Sequence, residues 1–140
     1  MGKRITMSGS EIDRAVIEKF VREELGCTCP DEVFASIYLE KNPASFSNLL
    51  KGYLLEIGGK LLVYLVETDD LALVVTNLEQ VFKLGREKRD AGGFNRFRLV
   101  VSTADFQLAR QMLLQQFDAL SELDERLHLH VITPDQLPEL

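Results

Sequence analysis

The chain has no tryptophan, only two cysteines, two histidines and four prolines among its 140 residues. Two cysteines are too few for a disulfide scaffold, which needs many to replace a core. Four prolines and nine glycines exclude a collagen-like or low-complexity polymer. No 18-residue stretch is free of charge, so a membrane-spanning helix is excluded. An acidic chain (net charge −6) without tryptophan and without a nucleic-acid motif is not expected to bind DNA or RNA. The Gly-x-Gly-x-x-Gly, Walker A, Gly-x-Ser-x-Gly and His-Glu-x-x-His patterns are all missing, which removes the common motif-bearing enzyme classes. Met1–Ile5 is basic, but a polar segment follows where a signal peptide needs its apolar run, so the chain is expected to be cytoplasmic.

What is present is enough apolar surface for a core. Hydrophobic residues make up 46% of the chain, which excludes disorder, and the length suits one globular domain spanning 1–140. Ile12, Val16, Ile17, Phe20, Val21 and Leu25 recur on one helical face, after possible capping boxes Ser8–Glu11 and Ser10–Asp13. Gly26 ends that helix, and Pro30 with Asp31 and Glu32 starts a short second one. Ala35 to Glu40 reads as a strand. Asn42–Pro43 opens a loop through Asn48. Tyr53–Ile57 and Leu61–Val66 flank Gly58–Gly59, a hairpin signal. Leu71–Val75 is expected to be a strand, with a helix starting near Asn77 behind a Thr76–Glu79 capping box. Phe97–Ser102 is a strand, Phe106 to Leu120 a helix, and Leu127–Ile132 the last strand. The expected fold is α/β, bordering on α+β. It is a single mixed sheet of five to six strands with an N-terminal helix, an antiparallel meander and a C-terminal αβαβ segment.

Three groups of residues have chemical meaning. Cys27 and Cys29 precede the helix start at Pro30, whose partial positive charge favours thiolate, the nucleophilic and metal-binding form, while the nearby Asp31 and Glu32 oppose the effect. His128 and His130 alternate along a strand and so share one face. Together the four make a Cys2His2 set suited to zinc or an iron centre, although the cysteine spacing is shorter than in standard zinc sites. Packing cysteines at a helix corner, and histidines on a solvated face, are the plainer readings. The third group is basic. Lys83, Arg86, Lys88, Arg89, Arg96 and Arg98, with only Glu87 and Asp90 among them, form a candidate anion-binding patch; the first four also complement a helix C-terminus. Thr68–Asp70, Thr103–Asp105 and Thr133–Asp135 each follow an apolar strand and read as caps and turns rather than a Mg²⁺ site.

The order helix, three-strand meander, helix, strand resembles the core of the PD-(D/E)xK nucleases. That chemistry needs an acid on one strand and Glu-x-Lys on the next. The candidate strand Leu71–Val75 has no Glu-x-Lys, and Glu56 and Lys60 flank the glycine turn at another spacing. The resemblance therefore implies a catalytically empty relative. The expectation carried forward is a non-catalytic binding or interaction module, not an enzyme and with no cofactor. Its expected partner is a protein or a second copy in a homodimer, not a membrane. The alternative is a thiol-redox or metal protein using Cys27 and Cys29, with His128 and His130.

Overall fold

The period of two along the apolar strands buries one face of a sheet against helices, and here both faces are covered for most of its width. The computed structural model describes residues 3–7, 12–121 and 124–138. Six strands lie in chain order across one mixed sheet: β1 (Lys3–Met7), β2 (Ile37–Lys41), β3 (Tyr53–Ile57), β4 (Leu61–Glu67), β5 (Arg96–Ser102) and β6 (Leu127–Ile132). β1 to β4 pair antiparallel, whereas β4–β5 and β5–β6 pair parallel. Both parallel pairs are joined by a helical crossover, as their geometry requires, and the tight Gly58–Gly59 turn joins an antiparallel pair. No helix among the described residues is long and apolar enough to cross a membrane.

Four α-helices accompany the sheet: α1 (Ile12–Glu23), α2 (Ala44–Ser47), α3 (Leu71–Gly92) and α4 (Phe106–Ser121). On one face, α1 inserts Ile17, Phe20 and Val21 against Ile37, Leu55, Val63 and Val100. On the other, Val74, Leu78 and Phe82 of α3 and Ala109 and Leu113 of α4 cover Leu62, Tyr64, Phe97 and Leu99. β4 lies at the centre, with every residue buried except Glu67. Gly85 faces the sheet from α3. A Cβ there would overlap the Phe97 ring, so the glycine is what lets helix and strand approach. Gly58, at φ 60° in the β3–β4 turn, packs against the Val33 backbone, and its N–H donates to the Ser36 carbonyl at 2.7 Å.

Two expectations are corrected. Leu71–Val75 is the first part of α3, not a strand. The Asp70 carboxylate accepts the Leu73 N–H at 3.1 Å and caps the helix six residues before the expected start near Asn77. Thr76, read as a cap, is inside the helix and donates its hydroxyl to the Ala72 carbonyl. The run was ambiguous because a helix buried along one stripe and a short buried strand both show clustered β-branched residues. The sixth strand is instead β1, before α1. The loop expected from Asn42 to Asn48 also holds one helical turn, α2, which buries Phe46 on Tyr64. The possible caps Ser8–Glu11 and Ser10–Asp13 involve residues outside those described.

Candidate functional site

The site begins where α1 stops. Gly26 adopts a left-handed conformation (φ 72°), which folds the chain back so that the Cys27 N–H donates to the Val21 carbonyl at 3.1 Å. Asp31–Ala35 follows as a 3-10 turn, tied to α1 by Arg22, which pairs with Asp31 at 2.9 Å and lies over the Phe34 ring. Between these anchors Cys27 and Cys29 are bonded to one another as a disulfide, with Cα atoms 5.4 Å apart. Both are partly exposed.

Strand alternation supplies the opposite wall. Phe97, Leu99 and Val101 of β5 point to the α3–α4 core, so Arg96 and Arg98 must project from the α1 face. Leu127 and Leu129 of β6 do likewise, leaving His128 and His130 beside the arginines. α1 ends at Glu23, and the cleft at this end of the sheet is lined from Gly26 onward. Nη1 of Arg96 donates to Nε2 of His128, and Nη1 of Arg98 to Nε2 of His130, both at 2.9 Å. Arginine has no acceptor, so each histidine presents an unprotonated Nε2 and carries its proton on Nδ1. Burial, then Arg98 and Arg96, lower the His128 pKa to about 4. Burial, then Arg98 and His128, lower that of His130 to about 4. Burial and the neighbouring Arg96 also lower the Arg98 pKa. Among the described residues, no carboxylate pairs with Arg96 or Arg98, and the buried Nε of Arg98 has no hydrogen-bond partner.

These walls enclose a cleft of about 810 Å³. Cys27, Cys29 and Pro30 form one side; Lys60, Arg96, Arg98 and His128 form another, with Glu32 and Asn95 also present. The Asn95 N–H donates to the Lys60 carbonyl at 2.7 Å and so fixes the hairpin turn against the start of β5. The cleft lies at the first residues of the parallel strands. Open α/β sheets usually hold ligands at the opposite, carboxyl end. Here that end is occupied by the protein's own caps. The Asp69 carboxylate accepts from the Thr103 hydroxyl and the Ala104 N–H, the Thr103 hydroxyl accepts the Asp105 N–H, and Thr133 forms a capping box with Gln136.

The sequence-derived candidates thus divide. Cys27, Cys29, His128, Arg96 and Arg98, drawn from two separate candidate sets, line one cleft, while His130 stands one step behind its wall. The Cys2His2 metal set is not assembled: the sulfurs are bonded to each other and not present as thiolates. Among the described residues no group of three or more His, Cys, Asp or Glu is placed to hold a metal ion. Lys83, Arg86 and Lys88 are on α3, across the sheet from the cleft, so the basic segment is not one patch. Arg89 is 1% exposed and makes an internal ion pair with Asp124 at 2.7 Å and Asp90 at 2.9 Å. Lys60 and Asn95 gave no sequence signal beyond lying next to turns. The third meander strand is Leu61–Glu67, and it contains no Glu-x-Lys; Tyr53, Leu55, Leu61, Val63 and Leu65 fill the α1 face of β3 and β4 with apolar groups.

Set against protein-family models, curated proteins and solved structures, the chain matches none.

Proposed function

We propose that the protein is a non-catalytic binding module that takes a ligand bearing a phosphate or carboxylate group into the cleft at the start of β4, β5 and β6. The observation that carries this reading is the pair of Arg–His contacts on the α1 face of the sheet, with Lys60 lining the same cleft and, among the described residues, no carboxylate paired with either arginine. Guanidinium groups held by neutral imidazoles, with no carboxylate partner among the described residues, favour a bidentate oxyanion, and a partly enclosed site strengthens that interaction relative to open water. In a chain of net charge −6, a local concentration of cations also steers anions to one place.

The test is calorimetric titration with inorganic phosphate, citrate and ATP at low salt. At least one probe is expected to bind, with affinity falling as salt rises and at least about tenfold weaker binding in Arg98→Gln. Equal binding by wild type and Arg98→Gln, or no heat with any of the three, overturns the reading.

Self-association is a second reading, supported by one feature: β6 is an edge of the sheet, and a free strand edge can pair with the same edge of another copy. Light scattering across a concentration series decides it, a strictly monomeric mass being the negative result.

A further inference from the structure

The disulfide is a chemical group in the wall of the cleft that anion binding does not use. Cys27 and Cys29 close a loop with a single residue, Thr28, between them. A cross-link that short removes little entropy from the unfolded chain, so it is a poor staple. α1 and the 3-10 turn are already held together by Arg22, through its ion pair with Asp31 and its contact with Phe34. Neither sulfur is shut in the core: both cysteines are partly exposed and both line the cleft. Lys60, Arg96 and Arg98 line it too. A disulfide in a cleft whose three cations, against the one carboxylate of Glu32, make no ion pair among the described residues is placed to meet an anionic thiol.

We infer that Cys27–Cys29 is a thiol–disulfide exchange centre whose substrate is a small thiol carrying carboxylate groups. The inference rests on the anion-binding reading of the same cleft. The chemistry balances without a further co-reactant. A substrate thiolate attacks one Sγ, the Sγ–Sγ bond breaks, and the departing sulfur leaves as a thiolate that takes a proton from water. A second substrate thiolate attacks the substrate sulfur of this mixed disulfide and releases the second protein thiolate. Two substrate thiols are oxidised to one substrate disulfide, and the protein disulfide is reduced to a dithiol. Lys60 and the arginines supply two effects: they concentrate the anionic thiol, and their positive potential favours the departing thiolate.

The experiment compares reduced glutathione, an anionic thiol, with cysteamine, a cationic one, and 2-mercaptoethanol, a neutral one. Reduction of the oxidised protein is followed by alkylation and mass, with rates expressed per thiolate. Glutathione is expected to exceed cysteamine by about tenfold at low salt, the advantage shrinking as salt is added. The advantage is also expected to shrink in Lys60→Gln and Arg96→Gln, both exposed positions whose replacement leaves the core untouched. Rates that follow thiol basicity alone, or a glutathione preference that survives both substitutions, overturn the inference. Phosphate titration of a Cys27→Ser/Cys29→Ser variant separates the two readings. Phosphate binding by this variant, together with no glutathione preference in the wild-type protein, removes exchange and leaves the anion site standing. Loss of both, in wild type, removes the pair of readings together.

Discussion

Arg98 lies opposite His128 in the β5–β6 register, yet its Nη1 donates to Nε2 of His130, 2.9 Å away and two residues further along β6. Arg96 makes the same diagonal reach to His128. The two contacts form a ladder of cations, each held by a neutral imidazole rather than by a carboxylate. The arginines are thereby oriented without being neutralised, which leaves their charge available to a ligand.

Acid is expected to break this ladder. The folded pKa of each histidine lies near 4, below the ordinary value of 6.5, so the unfolded chain takes up protons first. Stability from these groups is therefore complete above about pH 6.5 and lost as pH falls toward about pH 4. Histidine ring proton shifts followed by NMR check the folded values. Titration of both rings near pH 6.5 would contradict the ladder.

Bound anion reverses part of that shift. Phosphate placed beside Arg96 and Arg98 offsets their repulsion of an imidazolium. Because His128 lines the cleft and His130 stands behind it, phosphate is expected to raise the His128 pKa more. The same NMR titration repeated in saturating phosphate measures the difference; equal shifts would place the anion elsewhere.

The Arg89–Asp124 pair is structural. Hydrogen bonding to Arg89 holds the Asp124 carboxyl below the usual carboxylate range, despite the opposing effect of burial. Asp124→Asn leaves a guanidinium that is 1% exposed with Asp90 as its remaining acidic partner among the described residues, and is expected to cost about 3 kcal/mol in denaturant unfolding. Phosphate affinity is expected to stay unchanged, since α3 lies across the sheet from the cleft.

Gly85→Ala tests the close approach of α3 to β5. Its methyl group meets the Phe97 ring, and the expected loss is about 1–3 kcal/mol despite the better helix propensity of alanine. Phe97→Leu in the same chain should recover part of the loss in a double-mutant cycle.

Asp70→Ala tests the revised start of α3. It removes the acceptor for the Leu73 N–H and is expected to cost about 1 kcal/mol, with faster amide exchange across Leu71–Val75. A strand beginning at Leu71 would show no such dependence on Asp70.

Much of the fold could be read from local pattern. Gly58–Gly59 fixed the β3–β4 hairpin because two consecutive positive-φ residues suit a tight turn. Alternation placed the leucines of β6 on one face and His128 and His130 on the other. Leu71–Val75 is ambiguous in sequence because its five apolar residues satisfy a strand and the first turn of a buried helix equally well; the choice is made by Asp70 and by the sheet beneath. Lys3–Met7 gave no strand signal, since an edge strand takes its stability from pairing with β2 more than from its own sequence.

Periodicity, a local property of the chain, was enough for strands β2 to β6, for α1 and α4, and for the faces from which the arginines and histidines project. That Cys27 and Cys29 share a cleft with Lys60, Arg96, Arg98 and His128, and that Arg89 belongs to the interior, follows from long-range packing. Those residues lie far apart in sequence. They meet because the Gly26 turn folds the chain back after α1 and the parallel strands β4, β5 and β6 begin at the same end of the sheet.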